Sequence, residues 1–340
     1  MLKHSVYITH AQALSPDIVV GLADLPSGTT ASTRRMQNMT ARTEDWTQEM
    51  ATANDDGHRL NLFAPILPVE GEAQRLYLGM LQDELSDSID GLAVYSSASA
   101  AVIPAGLAHL PRLSMSSLMT PQQILREVML GVDLFAVEFV NASTDAGVAL
   151  KFEFPAPTDT YTRTTEHSHL HRKEMGIDVW SDEHATDLSP LTADCDCYTC
   201  EKHHRAYIHH LLVAKEMLAW TLLQVHNYTM INRFFTGIRR SIKKGEFERD
   251  VGLFEDIYEA AMPKGGGKGP RYVHTLGPRV LERYHVLKHL ASQDSRLSTR
   301  ILRPQRGKSE SRGLQVTEDC SCSRPIVALE IQCNTRFSVA

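Results

Sequence analysis

Short apolar runs alternate with amphipathic stretches through the first half of the chain. Strands are predicted over SVYIT (5–9), RLNLFAPILPV (59–69), IDGLAVYS (89–96), LPRLSMS (110–116) and VDLFAVEFV (132–140). Helices are predicted over EGEAQRLYLGMLQDEL (70–85) and over TPQQILREVMLG (120–131), where Thr120 is the N-cap and Pro121 lies in the first turn. Short strands that alternate with helices are typical of a parallel sheet.

The rest of the chain lacks this alternation. Segment 27–54 begins with capping residues and continues with helix formers, which predicts a long surface helix. Residues 155–194 are rich in Thr, Asp and His and are interpreted as an irregular insertion, whereas the pattern from 202 to 262 is helical. The stretch PKGGGKGPR (263–271) predicts a flexible break, and residues 303–340 are polar and aperiodic, as in a weakly ordered tail.

The composition is that of a globular protein with a small acidic charge. Of the 340 residues, 42% are hydrophobic and 22% are charged, and the formal net charge is −6. A protein that binds nucleic acid by itself is more often basic, so any RNA contact is expected to be local or shared with a partner. No apolar run reaches the roughly 18 residues that span a bilayer, and the N-terminus lacks the apolar core of a signal peptide.

Three of the six cysteines lie within six positions, in the stretch CDCYTC (195–200). A tight turn can bring Cys195, Cys197 and Cys200 around one point, where they provide three of the four tetrahedral ligands that Zn²⁺ prefers. His226 is the best candidate for the fourth ligand. Free thiols in a loop are the simpler alternative, but three cysteines at this spacing favour a metal. On spacing alone, four more histidines compete with His226: His203, His204, His209 and His210.

The separation between the cysteines and His226 predicts a bend. One straight helix would place His226 about 39 Å from Cys200, at a rise of about 1.5 Å per residue. We therefore expect a short helix over HHRAYIHHLL (203–212), a bend at 213–215 and a longer helix that begins near Glu216. A site with four protein ligands leaves no open position for water or substrate, so the metal would be structural.

The cysteine motif also resembles that of a known family. The tRNA-guanine transglycosylases, which exchange guanine for queuine or a precursor in tRNA, carry C-x-C-x-x-C followed by a His 26 residues after the last Cys. Cys195, Cys197, Cys200 and His226 match this zinc motif in full. Further stretches that resemble the family are DIVV (17–20), GLAV (91–94), TPQQILREVMLGVDLF (120–135), RAYIHHL (205–211), HN (226–227) and IRRSIKKGEF (238–247).

The resemblance covers roughly residues 5–255 and implies an α/β fold, a TIM-type (β/α)8 barrel with a zinc-binding helical subdomain. Active members carry an earlier segment with SGGFQ and a further Asp, which implies that the barrel is N-terminally incomplete here. The implied organisation is a partial barrel over 1–185, the zinc-binding helical subdomain and the end of the barrel over 186–262, and a linker with a weakly ordered tail over 263–340.

The departures from the family pattern concern the residues that act on RNA. Active members read G-[IV]-D-x-F-D, and the last Asp attacks the ribose carbon. This chain reads GVDLFA, so Asp133 matches the earlier Asp and Ala136 occupies the attacking position. A methyl group cannot form a covalent ribosyl intermediate, so no catalytic residue is assigned. Glu138 lies two residues further along the predicted strand and cannot replace the Asp without a register shift.

A second departure concerns recognition of the base. Ala23 stands where active members read the purine edge with an Asp, and Asp24 is displaced by one.

A retained zinc motif and a lost nucleophile resemble a non-catalytic subunit of the family. The resemblance implies a heterodimer with a catalytic queuine tRNA-ribosyltransferase subunit, one structural zinc ion, and tRNA bound mainly through the complex. It also implies a cytoplasmic location, with a peripheral position on the mitochondrial outer membrane as a further expectation. Two alternatives stay open: an active transglycosylase that uses Glu138 or Asp133, and a zinc-stabilised RNA-binding module without such a partner.

Two groups outside the zinc motif have a structural interpretation beside a functional one. His167, His169 and His171 could bind a metal but suit a solvated insertion loop better. Cys320 and Cys322 form a second C-x-C without a nearby histidine, so a second zinc site is not assigned.

Two more groups lie on the long predicted helix. A basic group suits either RNA phosphates or the negative end of a helix: Arg239, Arg240, Lys243 and Lys244. An apolar group is expected in the core, although some of its members could face a partner subunit: Met217, Leu218, Leu222 and Leu223.

Overall fold

The computed structural model describes residues 3–26, 32–55, 59–157, 172–267, 269 and 327–329. The strands of this part are β1 Val19–Val20, β2 Leu62–Ile66, β3 Gly91–Val94, β4 Arg112–Ser114, β5 Leu134–Ala136, β6 Val148–Leu150, β7 Gly176–Asp178 and β8 Val327–Leu329. Its α-helices are α1 His4–Leu14, α2 Thr33–Asp55, α3 Arg75–Asp83, α4 Ser97–Ala100, α5 Pro121–Met129, α6 Glu138–Asp145, α7 Tyr198–Lys202, α8 Arg205–Val213, α9 Met217–Lys244 and α10 Phe247–Ile257.

Six strands form one parallel sheet in the order β1-β2-β3-β4-β5-β8. Every residue of β2 and β3 is buried, as expected for central strands of a parallel sheet with both faces covered. The predicted parallel α/β sheet is therefore confirmed. Within the described residues the sheet does not close into a ring, since β1 pairs only with β2 and β8 only with β5.

The predicted strand over 5–9 is wrong, because these residues lie within α1. Five residues are too few for their hydrophobic periodicity to separate a strand from a helix. Tyr7 and Ala11, one helical turn apart, both pack against the main core. The Tyr7 hydroxyl also donates a hydrogen bond to the Val20 carbonyl oxygen at 2.6 Å. Contacts with the end of β1 therefore favour the helix.

The predicted strand over 132–140 is only partly right. β5 ends at Ala136, and Glu138 begins α6. A carboxylate in the first turn of a helix is favoured by the positive end of the helix dipole. Phe139 and Val140 are buried in the core through this helix. The chain has thus left the sheet before Glu138, which corrects the expectation that Glu138 lies along the strand.

The helices predicted for the first half of the chain are confirmed as α2, α3 and α5. α5 also begins as predicted, after the N-cap Thr120. The Thr120 side chain accepts a hydrogen bond from the Gln123 N–H, and the Gln123 side chain accepts one from the Thr120 N–H. This capping box satisfies two N–H groups that a helix start leaves without a partner.

The predicted bend between two helices is also confirmed. α8 ends at Val213, Lys215 takes a left-handed conformation at φ 60°, and α9 begins at Met217. α9 has 28 residues, which corresponds to about 42 Å at 1.5 Å per residue. It packs against α6, α7, α8 and β6. Neither α9 nor any other helix of the described part is long and apolar enough to cross a membrane.

An aromatic cluster joins α9 and α10 to the segment that follows β6. The Phe152 ring lies edge-on to Phe234 and Phe254, at centroid distances of 5.4 and 6.2 Å. Gly237 of α9 meets the same segment, because a Cβ at this position would lie 1.8 Å from the Phe154 carbonyl oxygen. Only glycine permits the helix backbone to approach so closely.

Some predictions fall on residues outside the described part. These are the histidines 167, 169 and 171, the cysteines 320 and 322, and most of the range 263–340. Within that range, Val327–Leu329 forms β8 and pairs with β5. The aperiodic sequence around these three residues did not predict this strand. The predicted insertion over 155–194 also contains a strand, β7, which pairs antiparallel with β6.

Candidate metal centre

The three cysteines lie on one turn that leads into α7. The Cys195 N–H donates to the Thr192 carbonyl oxygen at 3.3 Å. Cys197 is the N-cap of α7, and its Sγ accepts a hydrogen bond from the Cys200 N–H at 3.4 Å. A cysteine in the N-cap position thereby turns its sulfur back toward the first turn of the helix, where Cys200 lies.

His226 faces this turn from α9. Its Nδ1 lies 3.6 Å from Sγ of Cys195, 3.6 Å from Sγ of Cys197 and 3.4 Å from Sγ of Cys200. All four candidate ligand atoms lie within 4.8 Å of one another. The structure therefore brings together the four residues that the sequence motif proposed as ligands, and the cluster could hold a metal ion.

The distances fit a tetrahedral zinc ion. Bonds of about 2.3 Å to sulfur and about 2.0–2.1 Å to nitrogen, at a tetrahedral angle, place the two atoms about 3.5 Å apart. The three S···N distances of 3.4–3.6 Å agree with this separation. Thiolates and an imidazole suit Zn²⁺, whereas Mg²⁺ and Ca²⁺ prefer oxygen ligands.

The orientation of the His226 ring is set by a strand of the neighbouring layer. His226 is fully buried, and its Nε2 lies 2.9 Å from the Leu150 carbonyl oxygen at the end of β6. Because a carbonyl oxygen only accepts, Nε2 carries a proton and Nδ1 faces the sulfurs, where its lone pair would be available to a metal ion. A metal-binding histidine typically has such a second partner, which fixes its tautomer and ring orientation.

Burial and the hydrogen bonds within the cluster shift the pKa values of Cys197 and His226 in opposite directions. Burial raises the pKa of the Cys197 thiol, but hydrogen bonds from His226 and the Cys200 N–H outweigh this and lower the pKa to about 6. Burial likewise lowers the pKa of His226, whereas the three cysteines raise it well above its ordinary value. A thiolate of the cluster and the protonated Nδ1 of His226 stabilise each other, and a metal cation bound by the cluster would take the place of that proton.

Contacts from α9 hold the cysteine turn in place. The Arg233 guanidinium donates to the Asp194 carbonyl oxygen at 2.8 Å and to the Asp196 carboxylate at 2.5 Å. The Thr199 hydroxyl of α7 donates to the Leu222 carbonyl oxygen at 2.7 Å. These bonds tie the residues on either side of the cysteines to the helix that carries His226.

The competing histidines have other roles. Nδ1 of His209 lies 2.9 Å from the Val179 carbonyl oxygen. His204 is the N-cap of α8, and its Nδ1 accepts a hydrogen bond from the Tyr207 N–H at 3.1 Å. The His203 ring stacks on that of Tyr207 with centroids 5.0 Å apart, and His210 is exposed on α8. Among the described residues, only His226 therefore joins the three cysteines in a cluster.

The position at which the family pattern has its attacking Asp lies at the carboxyl end of β5, where the chain has Ala136. Asp133 lies at the opposite end of the same strand. It is buried, and its carboxylate accepts a hydrogen bond from the Arg112 N–H at 2.9 Å. Glu138 is exposed at the start of α6, where it accepts a hydrogen bond from the Ser117 hydroxyl at 3.3 Å. Neither carboxylate occupies the position of Ala136.

The carboxylate next to Ala23 is held by two cations. Asp24 pairs with Arg35 at 2.7 Å and also with Arg42, both from α2. Its backbone N–H donates to the Thr43 hydroxyl at 3.1 Å. These bonds hold Asp24 against α2.

The sequence alone assigned no role to Asn227, which follows His226 in the HN stretch. Its side chain is fully buried, and it accepts from the Leu150 N–H at 2.8 Å and donates to the Val148 carbonyl oxygen at 2.9 Å. The only signal in the sequence was a polar His-Asn pair inside an apolar helix. Two adjacent buried polar residues require partners in the neighbouring layer.

Comparisons with known proteins agree with this geometry. A family model described as queuine tRNA-ribosyltransferase matches residues 1–260. A Schizosaccharomyces pombe protein named queuine tRNA-ribosyltransferase accessory subunit 2 is 35% identical over 274 residues, which are 79% of this chain and 60% of that protein.

Relatives with the same name occur in vertebrates. The Xenopus laevis protein is 31% identical over 188 residues, covering 48% of this chain and 45% of its own length. The Homo sapiens protein is 34% identical over 153 residues, covering 39% of this chain and 37% of its own length. The aligned part thus spans at most about three fifths of each of these three relatives. The match over residues 1–260 shows that this chain belongs to the queuine tRNA-ribosyltransferase family.

Proposed function

We propose that the chain is a non-catalytic subunit of a heterodimeric queuine tRNA-ribosyltransferase, which exchanges guanine for queuine at the wobble position of tRNA. The observation that carries the proposal is Ala136 at the carboxyl end of β5, in a chain that keeps the four-residue metal cluster. Barrel enzymes place catalytic groups at the carboxyl ends of their strands, and a methyl group there offers neither nucleophile nor acid. The relatives named accessory subunit 2 support the same assignment.

The metal of this proposal is one structural zinc ion. Cys195, Cys197, Cys200 and His226 would hold it in a closed set of four ligands, which leaves no position for a reactive water molecule. Its contribution would be to join the cysteine turn to α9. The described parallel sheet would be part of a TIM-type (β/α)8 barrel, to which the zinc module, formed by the cysteine turn with α7, α8 and α9, attaches.

The partner would be a catalytic subunit that carries the attacking Asp. Exposed large apolar side chains of α7, α8 and α9 are the candidates for this contact, since an apolar patch often marks a protein interface. We call them the apolar face: Tyr198, Val213, Met217, Leu218 and Val225, which are 39–58% exposed. Leu222 and Leu223 are buried, so the apolar group of the sequence divides into core residues and residues of this face.

The tRNA would be bound mainly through the complex. With a formal net charge of −6, the chain as a whole repels a polyanion, so its own contacts must be local.

The location of the protein in the cell would be cytoplasmic, with a peripheral position on the mitochondrial outer membrane as an additional site. Cell fractionation of the tagged protein would test the location.

An active transglycosylase is the second candidate, and Glu138 is the observation that favours it. This carboxylate is exposed near the carboxyl end of β5, within hydrogen-bond distance of the Ser117 hydroxyl. It lies on α6 and not on the strand, so it would have to reach the ribose from a different direction. Glu138→Gln separates the candidates, because it would abolish activity only if the chain itself reacts.

The test is exchange of labelled guanine into tRNA. The full chain is assayed alone, together with a catalytic subunit that retains G-[IV]-D-x-F-D, and after co-purification of the two. We expect no exchange by the chain alone and a stable complex that is more active than the catalytic subunit alone. Exchange by the chain alone would contradict the proposal. Tight tRNA binding without any complex would instead favour the RNA-binding module.

A further inference from the structure

The exposed side of α9 is apolar toward its amino end and basic toward its carboxyl end. Leu218, Val225 and Arg239 follow one another at multiples of seven residues, and Lys243 lies eighteen residues, or about five turns, after Val225. All four therefore occupy the same side of the helix. The amino-terminal half of this side belongs to the apolar face, whereas the carboxyl-terminal half is basic.

We call the carboxyl-terminal group the basic end: Arg239, Arg240, Lys243 and Lys244, all of which are exposed. Arg239 donates to the Thr236 hydroxyl at 3.2 Å. Within the described residues, Arg240, Lys243 and Lys244 have no acidic partner. The nearby Arg249 differs from them, because it pairs with Glu246 and Asp250.

The helix dipole accounts for the positions of only two of these four cations. α9 ends at Lys244 before the left-handed Gly245, so Lys243 and Lys244 lie in the last turn. Arg239 and Arg240 lie one turn earlier, and the favourable effect of the dipole falls off within the last turn. Moreover, Arg240 and Lys244 are like charges four residues apart, which repel each other on a helix. The arrangement costs stability unless an anion neutralises it.

We propose that the basic end of α9 binds the phosphate backbone of the tRNA, on the same side of the helix as the partner contact. This inference rests on the proposed function, which brings a tRNA to the complex. Arg240, Lys243 and Lys244, which have no acidic partner within the described residues, complement a polyanion, and phosphate contacts position a nucleic acid without reading its sequence. Val225 and Lys243 are about 27 Å apart along the helix axis, so the apolar face and the basic end can contact two different molecules.

The test is binding of a fluorescently labelled tRNA transcript to the complex of the full chain with the catalytic subunit, at several salt concentrations. The variant is Arg240→Ala/Lys243→Ala/Lys244→Ala. We expect its affinity for tRNA to fall at least about tenfold at low salt. Loss of three phosphate contacts should also reduce the slope of log K against log salt by about 2. Co-purification with the catalytic subunit should remain unchanged.

A matched control removes three exposed cations elsewhere: Arg34→Ala/Arg75→Ala/Lys264→Ala. It changes the net charge by the same amount and should alter tRNA affinity less than about twofold. Circular dichroism of both variants should match the unmodified chain, because all six side chains are exposed. A general effect of charge would weaken both variants equally and would overturn the proposal.

The remaining outcomes separate this inference from the proposed function. If the complex forms and the basic-end variant binds tRNA as the unmodified complex does, the inference is wrong and the proposed function stands. If that variant loses the catalytic subunit instead, the basic end contacts an acidic protein surface and the inference is also wrong. If no complex forms, the full chain alone is measured. Loss of tRNA binding by the variant then supports the inference, and absence of binding by the unmodified chain overturns it.

Discussion

His226 and Asn227 are neighbours on α9, and both point into the interior although helix neighbours are about 100° apart. His226 joins the cysteine turn to the Leu150 carbonyl oxygen, while Asn227 bonds the Leu150 N–H. The backbone of one residue of β6 is therefore held by two adjacent side chains. A shift of β6 would move the His226 ring, so the geometry of the metal cluster depends on the sheet as well as on the cysteines.

Asn227→Leu should destabilise the protein by about 2–4 kcal/mol. The substitution leaves the Leu150 N–H, the Val148 carbonyl and the Thr144 hydroxyl without their partner in a buried site. Urea unfolding measures the loss. Asn232→Leu is the control, since Asn232 is exposed on the same helix, and its variant should unfold at an almost unchanged urea concentration. Equal stability of the two variants would disprove the role of Asn227.

Cys197→Ser should remove about one equivalent of zinc from the purified chain, because a hydroxyl is a poor replacement for a thiolate. Metal analysis by mass spectrometry gives the stoichiometry, and thermal unfolding should shift to lower temperature. His210→Gln changes an exposed histidine of α8 and should leave the zinc content unchanged. Retention of a full equivalent in the cysteine variant would refute the metal site.

At the scale of elements, an aspartate precedes each of two strands and forms the same kind of hydrogen bond to the neighbouring strand. Asp90 precedes β3, and its carboxylate accepts a hydrogen bond from the Leu62 N–H at 3.0 Å. Asp133 precedes β5 and accepts from the Arg112 N–H at 2.9 Å. Each acid thus holds the first residue of the neighbouring strand, which sets the register of the pair. This hydrogen bond gives the buried Asp133 a structural role.

The packing of α9 against the segment after β6 depends on glycine at position 237. Gly237→Ala would bring a methyl group within 1.8 Å of the Phe154 carbonyl oxygen, so either the helix or the aromatic cluster must move. We expect a loss of about 3 kcal/mol in unfolding free energy. Gly252→Ala, in α10, meets nothing within 4 Å and should stabilise by up to about 1 kcal/mol through helix propensity. A neutral Gly237 variant would show that the two backbones are not in contact.

At the scale of the whole molecule, the metal cluster, the apolar face and the basic end all involve α9. The helix carries His226 on its buried side and the two surfaces on its exposed side. Zinc would therefore act on the surfaces indirectly, by holding α7 and the cysteine turn against α9. Its loss would disturb Tyr198 first, because this residue of the apolar face lies between two of the cysteines in sequence.

Leu218→Glu/Val225→Glu should weaken association with the catalytic subunit at least about tenfold, because each carboxylate would have to be buried in the contact. Sedimentation or calorimetry of the two purified chains measures the dissociation constant. Leu14→Glu/Leu76→Glu is the matched control, since both leucines are more than 70% exposed and lie on α1 and α3. If the control weakens association as much as the first variant, the apolar face is not the partner contact.

The sequence by itself predicted the four residues of the candidate metal site and the alternation of strands and helices. Soft donors at a fixed short spacing have few alternative uses, and the rise of a helix excludes a straight path from Cys200 to His226. Only the tertiary structure decided that residues 5–9 form a helix, that Glu138 has left the sheet, and that β6 supports His226. It also decided that Leu218 is exposed while Leu222 is buried. These outcomes depend on contacts between residues far apart in the chain, and local periodicity does not report such contacts.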